Sequence, residues 1–378
     1  MASPYYTAEH DAFREQVRRF VAREIEPYAD AWDEAGEFPR DLYRKAAEIG
    51  LMQLNFPESH GGIKADRFYA IIASEELARC GAGGICASLM SHTIGAPPIA
   101  KLGSPEMQAR LLPQILSGEK ISALAITEPG GGSDVANLRT TARRDGAHYI
   151  LRGEKNFITS GMRADYYTVA VRTGGPGMGG ISLLLVERDT PGFTRTPLKK
   201  MGWWASDTAT LHFDDCRVPT SNLIGAENAG FLGIMMNFND ERLGLAASSN
   251  AFARVAYDEA VAYAKLRETF GKPLIKHQVL RHKPIDMAQR IHATQAMLES
   301  IAWRLDQGES PVAELCMLKN QATQTLAFCA SEAVQIFGGA GFMRGAKVER
   351  IYREVKVNAI GGGAEEIMKD LASRQLGW

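Results

Sequence analysis

The sequence predicts an α+β fold in three parts: an N-terminal α-helical domain over residues 1–120, a middle β-barrel-like domain over 121–230, and a C-terminal α-helical bundle over 231–378. Three observations carry this. Apolar residues recur at a helical period in the first third of the chain and again from Gly230 to the end. Between them lie short apolar runs of strand length. Glycine and proline punctuate that middle zone, as in RTGGPGMGG. Helices, then strands, then helices read as separate α, β and α units.

Each element has its own signal. DAFREQVRRFVAREIEPYADAWDEAG sets Phe13, Val17, Phe20, Val21 and Ile25 at helical spacing. RDLYRKAAEIGL follows Phe38-Pro39 and stops at Gly50. FYAIIASEELARCG repeats the helical pattern. ISALAIT, YYTVAVRT, ISLLLVER and TATLHFDDCRVP read as strands, and TTARRDGAHYILRG carries an Asp145-Gly146 hairpin signal. NFNDERLGLAA (237–247) reads as a helix start, with Asn239 or Asp240 as the cap and Glu241 complementing the dipole. LRETFGKPLIKHQ (266–278) reads as a helix end, with Arg267 as a terminal cation and Gly271 as the C′ glycine. The closing IGGGAEEIMKDL sets Gly361, Gly362 and Gly363 against another helix start.

Composition narrows the function. At 378 residues the chain holds roughly two to three domains. A formal net charge of −1 suggests no polyionic partner, and a nucleic-acid binder would carry a basic surplus. The five cysteines form no C-x-x-C pair, as expected of reduced thiols inside a cell. MASPYYTAEHDAFREQ has charges where a signal peptide needs an apolar run. No apolar run approaches the ~18 residues of a membrane span. A soluble, cytoplasmic protein is expected.

The common catalytic motifs are missing. Eight histidines give no H-E-x-x-H, and no metal site is expected. There is no G-x-S-x-G elbow, no P-loop ending after EPGGGSD, and no G-x-G-x-x-G between strand and helix. ITEPGGGSDVANL (126–138) is either a surface turn or a rim whose backbone N–H groups approach an anion or a planar ring. GEKNFITSG (153–161) is either an ordinary strand and turn or a hydroxyl pair, Thr159 and Ser160, donating to a heteroatom ring. Arg267 beside Phe270 also suits a phosphate.

These stretches, in this order, resemble the acyl-CoA dehydrogenase family of flavoproteins along nearly the whole chain. Phe38-Pro39 with GLMQLNFPESHGG is similar to its N-terminal signature, and ITEPGGGSD with GEKNFITSG to its flavin-binding β domain. MGWWASDTATLHFDDCRVP (201–219), RETFGKPLIKHQ, QIFGGAGF (335–342) and IYREVKVNAIGGGAEEIM complete the pattern.

The resemblance implies FAD held without a Rossmann domain, its ring between the β domain and the C-terminal helices. It implies flavin contacts at Ile126, Thr127, Gly132, Ser133, Phe157, Ile158 and Thr159, the last close to the ring's N5. It implies that Arg267, Phe270, Gln278, Gln335, Gly338 and Gly339 reach a neighbouring subunit's FAD in a homotetramer, a dimer of dimers. Gly363 and Glu365 are further cofactor positions. Ser133, Asn239 and Arg242 match positions for the acyl-CoA substrate. Electrons would pass to an electron-transfer flavoprotein. A flavin oxidase on the same scaffold, acting on acyl-CoA or a nitroalkane, and a catalytically silent flavin-binding module are the alternatives.

Oxidising a thioester at Cα–Cβ removes a weakly acidic α-proton, so a carboxylate base is needed while hydrogen bonds hold the enolate-like oxygen. Many family members carry Tyr-Glu-Gly-Thr where this chain reads Gly361-Gly362-Gly363-Ala364, so their catalytic Glu is replaced by Gly362. The long-chain and isovaleryl-CoA types instead carry the base in a Glu-Arg-Leu sequence, which matches Glu241-Arg242-Leu243. That resemblance makes Glu241 the base and leaves Gly362 to offer its N–H to the thioester carbonyl. The small residues at 361–362 and in RCGAGGICASL (79–89) suggest a roomy pocket for a medium, long or branched acyl chain.

Overall fold

The computed structural model describes residues 3–378, apart from the side chains of Met236 and Asn237. Eight helices come first: α1 (Ala8–Glu24), α2 (Ala29–Ala35), α3 (Asp41–Glu48), α4 (Arg67–Leu77), α5 (Gly83–Leu89), α6 (His92–Gly95), α7 (Pro97–Leu102) and α8 (Pro105–Leu116). Local chemistry sets several of their ends. Thr7 and His10 form a reciprocal capping box on α1. Asp66 and Ser104 cap α4 and α8, and Pro105 fills the first position of α8. Helix α3 stops as expected, with Gly50 N–H donating to Ala47 and Leu51 N–H to Ala46 in a Schellman arrangement.

Eight strands follow: β1 (Ser122–Ala125), β2 (Thr141–Asp145), β3 (His148–Thr159), β4 (Tyr166–Arg172), β5 (Ile181–Glu187), β6 (Phe193–Pro197), β7 (Thr208–Pro219) and β8 (Leu223–Ile224). They form one sheet in the order β6-β7-β3-β2-β4-β5-β8, with β1 parallel to β4. The barrel-like sheet stays open, because no ladder among the described residues joins β6 to β8. β2 and β3 do form a hairpin, and its last pair is Asp145 with His148, so the loop is Gly146-Ala147.

The chain then returns to helix: α9 (Gly230–Leu266), α10 (Gln278–Asp306), α11 (Val312–Phe337), α12 (Lys347–Ile360) and α13 (Glu365–Gln375). A two-stranded ladder, β9 (Glu268–Thr269) with β10 (Lys272–Pro273), separates α9 from α10. One apolar core joins the N-terminal helices to the sheet through Val17, Phe20, Leu42, Val169 and Val186. A second joins α8, the sheet and the start of α9. A third fills the C-terminal bundle. No helix among the described residues is long and apolar enough to cross a membrane.

Two expected boundaries move. Asn239, Asp240 and Glu241 do not open a helix, because α9 begins at Gly230 and places them inside it. The helical period that returns at Gly230 marks this start, and Gly230 and Gly233 serve close packing there. A Cβ on Gly230 would meet the Ser182 backbone at 2.6 Å, and one on Gly233 would meet Leu102 Cδ1 at 2.7 Å. Gly271 is not the C′ residue of α9 either. Arg267 is the C-cap, and Phe270 (φ 51) with Gly271 (φ 77) forms the turn of the β9–β10 hairpin.

Candidate active site

Helix α9 carries Asn239, Glu241 and Arg242 to the junction of the three units. Phe238 packs in the same apolar cluster as Ile126 of the sheet domain, while Leu243, Ala246 and Ala247 pack against Phe68 and Ile71 of α4. Between these two contacts stand Asn239, Glu241 and Arg242. Arg242 is buried and donates from Nη1 to Asn239 Oδ1 at 3.1 Å. Glu241 Oε2 is shielded from solvent and has no hydrogen-bond partner among the described residues. Burial pushes the Glu241 carboxyl up to about 7, against the opposing charges of Arg242 and Lys319. A carboxyl poised near neutrality suits proton transfer.

The glycine turn lies directly against it. Gly362 (φ 65) and Gly363 (φ 107) occupy backbone conformations that side chains disfavour, which accounts for two of the three glycines. A Cβ on Gly362 would sit 3.7 Å from Glu241 Oε1 and 2.4 Å from Leu245 Cδ1. Glu241 therefore presents its carboxyl beside the place where a side chain at 362 would begin. Lys319, fully buried on α11, donates from Nζ to the carbonyls of Ala359 at 3.2 Å and Gly363 at 2.8 Å. Burial pulls its ammonium down to about 8. Glu365 is tied to α11 as well: Thr323 donates to its Oε1 at 2.8 Å and Gln324 to its Oε2 at 3.3 Å.

The expected flavin positions lie at the ends of β1 and β3. Asn156 N–H donates to Thr127 O at 2.7 Å and joins the two stretches. Between Lys155 and Ile158 the β3–β7 register slips by one residue, and Phe157 takes φ 61. This bulge turns Phe157 outward, 65% exposed, while Ile158 stays buried and Thr159 half-buried. Ser160 Oγ is buried without a partner among the described residues. Gly130 and Gly131 border open space, and Ser133 is exposed beside them. An exposed aromatic, the half-buried Thr159 and an open glycine rim fit a planar, heteroatom-rich ring such as a flavin, whereas Ser160, expected to pair with Thr159, is fully buried and closed off from any such ring.

Beneath this rim lies a pair that sequence reasoning missed. Lys155, fully buried, donates to Ile126 O at 3.0 Å and Glu128 Oε1 at 2.8 Å. Glu128 also accepts from the N–H groups of Arg139 at 2.6 Å and Thr140 at 2.9 Å. Burial works to raise the Glu128 pKa, but Lys155 and these donors hold it below its ordinary value. Strand alternation carried the signal, since Tyr149, Leu151 and Lys155 all fall on inward positions of β3. Lys319 left a similar trace, standing on the apolar stripe of α11 with Leu315, Ala322 and Leu326.

Arg267, Phe270, Gln278, Gln335, Gly338 and Gly339 gather elsewhere. Tyr263 stacks on Phe337 at 4.2 Å, so the ends of α9 and α11 lie side by side, and all six residues there are exposed. Twenty-six residue steps along α9, about 39 Å at 1.5 Å per step, separate Arg267 from Glu241. The structure does not bring this group to the Glu241 site within one chain.

Three of the glycines expected to leave room beside an acyl chain are packed against other residues. The space beside Gly362 is already taken by Leu245. Gly83 and Gly84 receive the Trp203 loop, whose atoms would lie 2.4 Å and 2.9 Å from added Cβ atoms. Gly83 N–H also donates to Glu354 Oε2 at 2.8 Å. At Gly362, Gly83 and Gly84 the place of a missing side chain is thus taken by neighbouring residues.

This scaffold, with a carboxyl near neutrality on α9 and an open glycine rim beside Phe157 in the sheet domain, is that of a flavin-dependent oxidoreductase. The chain belongs to the acyl-CoA dehydrogenase family, whose members use FAD. The family descriptions acyl-CoA dehydrogenase N-terminal, middle and C-terminal domain match residues 7–119, 123–216 and 228–377. The mitochondrial long-chain specific acyl-CoA dehydrogenase of Sus scrofa is 38% identical, over 98% of this chain and 87% of that one. The solved acyl-CoA dehydrogenase of Geobacillus kaustophilus superposes with a TM-score of 0.96 at 38% identity, covering 100% of each chain. A solved chain described as electron transferring flavoprotein of Acidaminococcus fermentans superposes with a TM-score of 0.94 at 34% identity, over 98% of each.

Proposed function

We propose that this protein oxidises an acyl-CoA thioester to its trans-2-enoyl form, with Glu241 as the base that removes the α-proton. One observation carries the assignment: a carboxyl pushed up to about 7, its Oε2 shielded from solvent and without a partner among the described residues, its Oε1 3.7 Å from the Cβ position of Gly362. FAD supplies the acceptor for the hydride that leaves Cβ. Ile126, Thr127, Gly132, Ser133, Phe157, Ile158 and Thr159 hold its ring side, with Gly363 and Glu365 near it. The Gly362 N–H donates to the thioester carbonyl, so negative charge gathering on that oxygen meets a fixed donor. The proton from Cα stays on Glu241 until product leaves. Ser133, Asn239 and Arg242 orient the CoA moiety.

Arg267, Phe270, Gln278, Gln335, Gly338 and Gly339 serve a neighbour's FAD, and the protein works as a tetramer built from two dimers. The roughly 39 Å of helix between Arg267 and Glu241 supports this sharing. An electron-transfer flavoprotein takes the electrons. The likeness to a long-chain specific enzyme, rather than any cavity volume, favours a medium, long or branched acyl chain. Anaerobic mixing of the FAD-loaded protein with a panel of acyl-CoA esters tests the reading. Bleaching of the flavin by longer or branched esters is expected. Bleaching by none would overturn it, and stoichiometric peroxide in air would make the protein an oxidase.

A further inference from the structure

Resting on that reading, we propose that Lys319 is a positioning residue of the active site, its buried ammonium bracketing Gly362 by bonds to Ala359 O and Gly363 O. The 361–363 turn has no side chain with which to fix itself. Glycines with φ of 65 and 107 are permissive, so the direction of the Gly362 N–H must be imposed from outside. Helix α11 imposes it from one face. Asn320 Nδ2 donates to Glu365 O at 2.9 Å, and Thr323 holds the Glu365 carboxylate. Both of those ties lie after the turn. Lys319 alone among these three reaches carbonyls before and after Gly362.

The choice of a lysine is itself informative. Lys319 is fully buried and makes no ion pair among the described residues. A buried charge without a counter-ion is costly, so neutral residues would ordinarily stand there. An ammonium, however, offers three donors and no acceptor, and carbonyls on both flanks of one turn call for that. Its charge has a second effect. Lys319 and Arg242 both oppose the rise of the Glu241 pKa, while Cys316 of α11 and Glu365 and Glu366 of α13 complete the titratable groups around it. Lys319 thus fixes the donor for the thioester oxygen and favours the ionised form of the base.

Two variants of the FAD-loaded protein separate these effects. Lys319→Met removes donor and charge; Lys319→Gln keeps a neutral donor. FAD content, acyl-CoA binding and anaerobic flavin reduction are measured for each across neutral pH. Lys319→Met should reduce flavin roughly 10- to 10²-fold more slowly, the scale of an ångström-level misplacement. Its pH midpoint should move alkaline, because a cation that favoured the carboxylate is gone. Lys319→Gln should regain part of the rate with the midpoint still displaced. A wild-type rate and midpoint in Lys319→Met overturns the proposal. So does an unmoved midpoint in both variants, which a merely structural lysine would give. If Lys319→Met does not fold, the midpoint of Lys319→Gln decides alone. Glu241→Gln, run beside them, separates the two levels. If it is inactive while Lys319→Met is normal, only the lysine's role fails. If it keeps the wild-type rate, the base assignment fails and this proposal falls with it.

Discussion

Adding one carbon at position 362 tests the packing of the site. Gly362→Ala forces a side chain onto φ 65, a left-handed conformation that costs roughly 1–2 kcal/mol for an L-residue. Its Cβ would also lie 2.4 Å from Leu245 Cδ1, where van der Waals contact requires about 3.5–4.0 Å. Overpacking of that kind costs typically about 1–3 kcal/mol. The variant should therefore be less stable by about 2–5 kcal/mol. Only the clash depends on Leu245. In Gly362→Ala/Leu245→Ala the loss should fall short of the sum of the single losses by about 1–3 kcal/mol. Urea titrations followed by circular dichroism, with unchanged m-values, give all four corners of the cycle. Strict additivity would mean that Leu245 is not the wall beside Gly362. A neutral Gly362→Ala would mean that the turn does not hold a left-handed residue. The same geometry limits any transplant of the base. Gly362→Glu in a Glu241→Gln background should regain activity only when Leu245 is also shortened.

Three further outcomes follow from the charges and the helix length. Glu241 titrates near 7 in the fold and near 4.5 in an unfolded chain, so the unfolded state binds fewer protons between those values. Stability in the absence of acyl-CoA should fall as pH rises from 4.5 to 7. Glu241→Gln should remove that slope and be more stable above pH 7, by at most about 3 kcal/mol at 1.36 kcal/mol per unit; equal pH dependence of both melting curves would refute it. Glu354 accepts two N–H donors, from Gly83 at 2.8 Å and Trp203 at 3.1 Å, so Glu354→Gln turns one amide NH₂ against a donor and should cost about 1–3 kcal/mol. Unchanged thermal stability would contradict this. Arg267→Ala should lower FAD retention without slowing flavin reduction in the occupied fraction, because the residue stands far along α9 from Glu241; a purified wild-type monomer with full FAD would undo the shared-site reasoning.

Periodicity made the order of helices, strands and helices legible. Helical spacing in α1 and apolar runs in β4 and β5 are local signals: α1 buries Val17, Phe20 and Val21 on one face, and the two strands are buried on both faces. The glycine run and the Glu241-Arg242-Leu243 stretch were legible as well, and the structure sets them side by side. What escaped depends on contacts between distant residues. Gly230 and Gly233 give no sign in the sequence that they let α9 approach β5 and α7. Gly83 and Gly84 look like space until Trp203 fills it. Lys155 and Lys319 read as ordinary surface cations unless their phase in strand or helix is counted, and no spacing reveals that Lys155 meets Ile126 O and the Glu128 carboxylate or that Lys319 meets the carbonyls of Ala359 and Gly363.

The central claim is that Glu241 takes the α-proton, and stopped-flow reduction of the flavin in Glu241→Gln tests it most directly. Glutamine keeps the shape, so FAD content and acyl-CoA binding should match wild type. With the best ester from the panel, reduction should slow by ~10²–10⁴-fold, the contribution of a positioned general base. In wild type the rate should climb with pH through about 7, as the Glu241 carboxyl ionises. Reduction of Glu241→Gln at the wild-type rate would contradict the account and leave Glu241 as a buried carboxyl with no part in the chemistry.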